Sequence, residues 1–167
     1  MQTHTVPKHL KSNGGIVVDG ARGCMVKFAK CCNPLPGDEV IGFITKGYGI
    51  SVHKTDCPNV VTGRQNEANA DRWVDAHWEQ ADAGAQQSMY EAQLRLHVED
   101  RLGMVADISV ALSDMKVFLL QINSLKSGND RSIVQLKISC KNIDHYHSIV
   151  ARLKTIRGVL EVTRGFS

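Results

Sequence analysis

The chain has 167 residues, 43% of them apolar, with 20 Lys and Arg against 17 Asp and Glu. That length suits one ordinary domain or two small ones, and the apolar share is normal for a packed core, so the chain should fold. No run of about 18 apolar residues occurs, and the opening MQTHTVPKHLKSNGG has no stretch of signal-peptide length, so the expectation is a cytoplasmic chain with no membrane partner.

The net charge of +3 is unevenly spread: +3 over residues 1–63, −3 over 64–87 and +3 over 88–167. Two mildly basic segments around an acidic one are compatible with an anionic partner such as RNA, but fall short of the dense basic patch that would argue for one unaided. Five cysteines make an odd set for a disulfide framework, and a reducing compartment leaves them free or bound to metal.

Up to residue 78 the chain is punctuated by Gly and Pro. Short apolar runs at Ile16–Val18, Met25–Phe28, Val40–Thr45 and Ile50–His53 read as short strands. TKGYGI, residues 45–50, supplies the glycines of a hairpin between the last two. Asp56 followed by Pro58 suits a short helix capped by Asp56. RWVDAHW, residues 72–78, places Val74, Ala76 and Trp78 on one side of a closing strand. EQADAGAQQS, residues 79–88, is small, polar and aperiodic, and reads as a linker.

Beyond the linker the periodicity is regular. Ala92, Leu94, Leu96 and Val98 alternate as a strand, and Met104, Ile108, Ala111, Leu112 and Met115 recur at helical spacing. Residues 117–125 and 131–140 flank Gly128, Asn129 and Asp130 as a hairpin. Tyr146, Ile149, Val150, Leu153 and Ile156 form a second helical stripe stopped by Gly158, and VLEVTR closes the chain as a strand. The fold class is α+β: a β-rich domain over residues 14–78, a linker over 79–88 and a βαββαβ ferredoxin-like domain over 89–167. The order βαββαβ predicts an antiparallel sheet with both helices on one face.

The candidate chemistry starts at AKCCNPLPGDEVIGF, residues 29–43. Adjacent cysteines seldom bond to one another, because the intervening peptide holds them in poor geometry. Twenty-one residues after Cys32 comes His53, and four later Cys57. Three sulfurs and an imidazole suit tetrahedral Zn²⁺ in a closed structural site, although C-x2-C is the commoner spacing. Such a metal would support a domain with a thin core and would not activate water. Cys140, in phase with Val134, Leu136 and Ile138, reads as core, Cys24 as a non-ligand, and His145 and His147 as surface residues.

No phosphate-binding, dinucleotide, nucleophile-elbow or H-E-x-x-H motif is present, and an independent enzyme is not the reading. At the strand-to-helix junction Asp100 either caps the helix or, with Arg101 and the Gly103 turn, belongs to a site where backbone N–H groups receive a small carboxylate. Arg95, His97, Gln121, Asn123, Gln135 and Lys137 fall on the open face of the second sheet. None is aromatic, which argues against base stacking there and leaves phosphate contact or pairing with another domain.

VKFAKCCNPLPGDEVIGFITKGYGISVHKTDCPNV, residues 26–60, resembles the zinc-finger (conserved-cysteine) domain of long RelA/SpoT-type enzymes, the synthetases and hydrolases of (p)ppGpp. Residues 90–164, with VEDRLGMVADIS and VLEVTR, resemble the ACT domain that ends those proteins. The resemblance implies a non-catalytic C-terminal regulatory module of the stringent response. Its implied partners are ribosomal RNA, tRNA and the protein's own N-terminal catalytic domains. Zinc on Cys31, Cys32, His53 and Cys57 is implied as well. ACT domains of the family bind amino acids, in some members branched-chain ones, which places a ligand near Asp100, Arg101, Gly103 and Met104, with Ile122 and Asn123 contributed by a paired ACT domain in a homodimer. Met104 stands where the ACT pattern more often has Leu, a mild change in an apolar position. The competing reading is an amino-acid-responsive dimerisation module without direct RNA binding.

Overall fold

A computed structural model describes residues 15–19, 25–47, 49–79 and 89–165. Cys24 and residues 80–88, most of the expected linker, lie outside the described residues. The described residues divide into two compact units, the first drawn from residues 1–34 and 38–88, the second from 35–37 and 89–167.

The first unit is built on five short strands, β1 (Ile16–Val18), β2 (Val26–Phe28), β3 (Val40–Ile44), β4 (Ile50–Lys54) and β5 (Trp73–Trp78). They form one sheet in the order β1-β5-β3-β4-β2. β3 and β4 pair as the expected hairpin, closed by Thr45 N–H donating to Gly49 O at 2.8 Å. β2 joins β4 in parallel, while the other pairings are antiparallel. Alternation along these strands gives the sheet two faces. One buries Ile16, Ile50 and Val52 with Val74, Ala76 and Trp78 packed on them. Gly42 points to this face, where a Cβ would lie 2.9 Å from Val74 Cγ2 and 3.0 Å from Ile50 Cγ2. The other face carries Ile41, Cys57 and Val60, with Cys32 and Trp73 against them.

Helix α1 (Pro58–Gly63) crosses that second face, with Pro58 in its first turn. Its N-cap is Cys57 and not Asp56, one residue later than the sequence suggests. The reason is that Cys57 N–H is used by Lys54 O at 3.1 Å, and the carbonyl of Cys57 receives the first helical bonds, from Val60 and Val61. A 3-10 turn over Glu67–Arg72, capped by Asn66 Oδ1 on Ala68 N–H, leads into β5. It has no apolar periodicity to announce it.

The second unit has the expected order: β6 (Tyr90–Glu99), α2 (Met104–Asp114), β7 (Leu119–Lys126), β8 (Arg131–Cys140), α3 (Ile143–Lys154) and β9 (Val159–Arg164). Its antiparallel sheet runs β7-β8-β6-β9. Ala92, Leu94, Leu96 and Val98 of β6, and Val134, Leu136, Ile138 and Cys140 of β8, are buried in one core with Met104, Ile108, Leu112, Ile149 and Leu153 of the helices. Leu35, also part of this unit, is fully buried in the same core. Cys140 is therefore a core residue, its Sγ 3.3 Å from Asn142 O. Asn142 caps α3 by accepting from His145 N–H at 2.8 Å.

Candidate metal centre and the cavity at the β6–α2 turn

Four donors converge on the α1 side of the first sheet. Cys31 and Cys32 lie in the turn after β2, which Asn33 N–H closes onto Ala29 O at 2.9 Å. Asn33 takes a positive φ of 43° there, a conformation Asn tolerates better than most side chains. His53 points away from the face that Val52 buries, because neighbours on a strand alternate. Cys57 is delivered by the α1 N-terminus.

Cys31 Sγ lies 4.0 Å from Cys32 Sγ, 3.6 Å from Cys57 Sγ and 3.4 Å from His53 Nδ1, and Cys32 Sγ lies 3.9 Å from the same Nδ1. All four ligand atoms fall within 4.8 Å of one another, so the group can hold a metal ion. Around it, Lys54 N–H donates to Cys32 Sγ at 3.3 Å, and Ser51 Oγ sits 3.4 Å from His53 Nε2, the nitrogen facing away from the sulfurs.

Burial sets the electrostatics of the cluster. The Cys32 thiol is pushed well above its ordinary value, chiefly by burial and further by the neighbouring Cys31 and Cys57 sulfurs, against the lowering effect of the Lys54 N–H. Burial also holds the His53 imidazole below its usual range, hence neutral and able to donate a lone pair. Three crowded thiols cannot ionise together cheaply without positive charge among them.

The second feature is a cavity of about 310 Å³ at the β6–α2 turn, lined by Val98–Ala106 together with Ser124, Ser132 and Val134. Gly103 (φ 81°) is the N-cap of α2, so Asp100 is not the helix cap; its carboxylate is 3.6 Å from Lys126 Nζ. Arg101 fastens the turn: its Nε and Nη2 donate to Arg157 O at 3.1 and 2.9 Å, its Nη1 to Leu102 O at 3.1 Å, and its Nη2 to Asp107 Oδ2 at 2.6 Å. Asp100, Arg101, Gly103 and Met104 thus share one cavity. Ile122 and Asn123 do not line it in this chain; Ile122 packs on the core opposite Leu136, and Asn123 is exposed opposite Gln135. Ser124 and Ser132 do line it, and the alternation of their strands was the available signal. Ser124 follows Ile122 by two on the inward side, and Ser132 is in phase with Val134.

Two smaller expectations are refined. His145 is half-buried and accepts from Lys141 N–H at 3.1 Å through Nδ1, so it is not a free surface residue. On the open sheet face, Arg95 is half-buried and its Nε has no hydrogen-bond partner among the described residues.

A metal-capable Cys/His cluster on a small β unit, followed by a βαββαβ unit with a glycine turn at its first helix, defines a tandem of a Cys/His unit and a ferredoxin-like unit. Residues 16–79 match the RelA/SpoT RIS domain and residues 86–164 the ACT domain. The chain thus carries a RelA/SpoT RIS domain followed by an ACT domain. It is 32% identical over 162 residues to the bifunctional (p)ppGpp synthase/hydrolase RelA of Mycobacterium tuberculosis, covering 96% of this chain and 21% of that protein. To the GTP pyrophosphokinase of Escherichia coli K12 it is 33% identical over 165 residues, covering 98% and 21%. The chain therefore spans about a fifth of the length of these relatives, and both matched domains are regulatory. The ACT domain from the GTP pyrophosphokinase of Chlorobium tepidum is similar at 25% identity and a TM-score of 0.41, covering 46% of this chain and 99% of that one.

Proposed function

We propose that the chain is the C-terminal regulatory region of a cytoplasmic (p)ppGpp synthetase/hydrolase in the stringent response. Its first unit is a zinc-stabilised surface that contacts ribosomal RNA and tRNA. Its second unit is an ACT domain that receives a small amino acid, and together they control catalytic domains elsewhere in a longer protein. The observation that carries the reading is the Cys3His cluster. Zinc–sulfur and zinc–nitrogen bonds of ordinary length around a tetrahedral ion give edges of about 3.8 Å between sulfurs and about 3.6 Å from sulfur to nitrogen. The sulfur separations of 3.6 and 4.0 Å and the sulfur–nitrogen separations of 3.4 and 3.9 Å bracket those values. Metal analysis of the purified chain, with chelator titration, tests it: about one zinc per chain is expected, and a metal-free chain with an ordered first unit would overturn it.

The amino-acid reading rests on the cavity at the α2 N-terminus, where apolar Val98, Met104 and Val134 meet polar Asp100, Ser124 and Ser132. A branched-chain amino acid offers an apolar group for the former and a charged backbone for the latter. Titration with valine, leucine and isoleucine, read by amide shifts at residues 100–106, checks it; shifts confined elsewhere count against it.

A second reading, an amino-acid-responsive homodimerisation module without RNA contact, is favoured by one observation. β7 is an edge strand; Leu120 and Leu125 along it are 51% and 53% exposed, and Phe118, just before it, is 72% exposed. An apolar exposed edge is a ready template for strand pairing. Ribosome binding that is weak and insensitive to salt, with ligand-dependent doubling of mass, would favour this reading over the first.

A further inference from the structure

We propose that Cys31 is a thiol-oxidation site with Cys57 as its resolving partner, so that a Cys31–Cys57 disulfide and metal ligation are alternative states of the cluster. The metal half of this statement rests on the zinc reading above; the disulfide half does not.

The three sulfurs of the cluster are not equivalent. Cys31 is exposed, Cys32 half-buried and Cys57 buried. A peroxide in solution therefore meets Cys31 first, since oxidation follows access as well as thiol reactivity. Among the described residues the sulfur nearest to it is that of Cys57, at 3.6 Å, compared with 4.0 Å for Cys32. Closure between Cys31 and Cys32 is further opposed by the peptide joining them. Cys32 is also held in place by the Lys54 N–H, whereas Cys57, although it is the N-cap of α1, makes no side-chain capping bond. Cys31 thus has solvent access, and its shorter sulfur separation within the cluster is the one to Cys57.

The oxidant is hydrogen peroxide. The Cys31 sulfur attacks one oxygen, the O–O bond breaks, and a sulfenic acid forms with release of water. The Cys57 sulfur then attacks the Cys31 sulfur; the S–S bond forms, the S–O bond breaks, and the hydroxyl leaves as a second water with the thiol proton. Two thiols lose two electrons in all, and the peroxide gains them. A metal held by the four side chains is left with Cys32 and His53 alone, too few to retain it against a chelator.

The test treats the full chain, zinc-loaded in one arm and chelator-stripped in the other, with equimolar hydrogen peroxide. Trypsin leaves Cys31 and Cys32 on residues 31–46 and Cys57 on residues 55–64. The expected product is these two peptides joined with loss of two hydrogens, fragmentation placing the bond on Cys31, with one zinc released per bond formed. Dithiothreitol should reverse it, Cys31→Ser should abolish it, and Cys140→Ser should leave it intact. A bond within residues 31–46, a link through Cys24 or Cys140, or irreversible oxidation of Cys31 with no link would overturn the inference. If the link forms in a chain that takes up no zinc, the metal reading fails and the disulfide stands; if zinc is bound and no link forms, the reverse holds.

Discussion

Burial is the main cause of both shifts at the cluster: it lowers the His53 imidazole, which keeps it neutral as a metal ligand needs, and it raises the Cys32 thiol, which a bound cation has to reverse before that sulfur can ligate. Replacing His53 by Ala or Cys57 by Ser should therefore weaken zinc binding by more than about a hundredfold, because loss of an outer partner alone costs roughly 10–100-fold. Ser51→Ala, which removes the group beside His53 Nε2, should fall near the lower end of that outer-shell range; competition with a chromogenic chelator measures both. His145 gives a pH prediction. Burial first, and then Lys141, depress its imidazole below the ordinary value. Its neutral form accepts the Lys141 N–H, so the stability it contributes is present above about pH 6.5 and is lost as pH falls through the depressed value. Thermal melts across that window should show a decline that His145→Ala removes. If the wild-type and variant curves run parallel, the linkage is absent.

Among the elements, those with a strong period match closely. The β6 and β9 segments and both long helices fall where alternation and helical spacing put them, because each buries one face in a single core. The 3-10 turn and the exact α1 cap did not announce themselves. Both are set by local backbone bonding, which leaves no apolar rhythm in the chain. Two substitutions test the packing described. Leu136→Ala, in the middle of β8 and fully buried, should cost about 2–5 kcal/mol in chemical denaturation of the ACT unit. Gly42→Ala forces a methyl against Val74 and Ile50 and should cost about 1–3 kcal/mol in the first unit. Protection of β3–β4 amides from exchange would fall accordingly, and unchanged protection would contradict the close approach.

At the scale of the whole molecule, the two units differ in what holds them. Among the described residues, the first has three buried residues in one cluster and three in another, one of them Cys57, while the second has a continuous core. Chelation should therefore abolish exchange protection in β4 and α1 while the β6–β8 ladder keeps its own, as amide exchange followed by mass spectrometry can read. The sequence by itself determined the order of elements, the two-part organisation and the Cys31, Cys32, His53 and Cys57 set, because apolar period, turn residues and ligand chemistry are all written locally. Only the tertiary structure decided which atoms meet: that Nδ1 of His53 faces the sulfurs, that Cys57 lies closer to Cys31 than Cys32 does, and that Ser124 and Ser132 line the ACT cavity in this chain while Ile122 and Asn123 do not. Strand register and the side to which each residue points are settled by pairing across the sheet, and that pairing joins residues far apart along the chain.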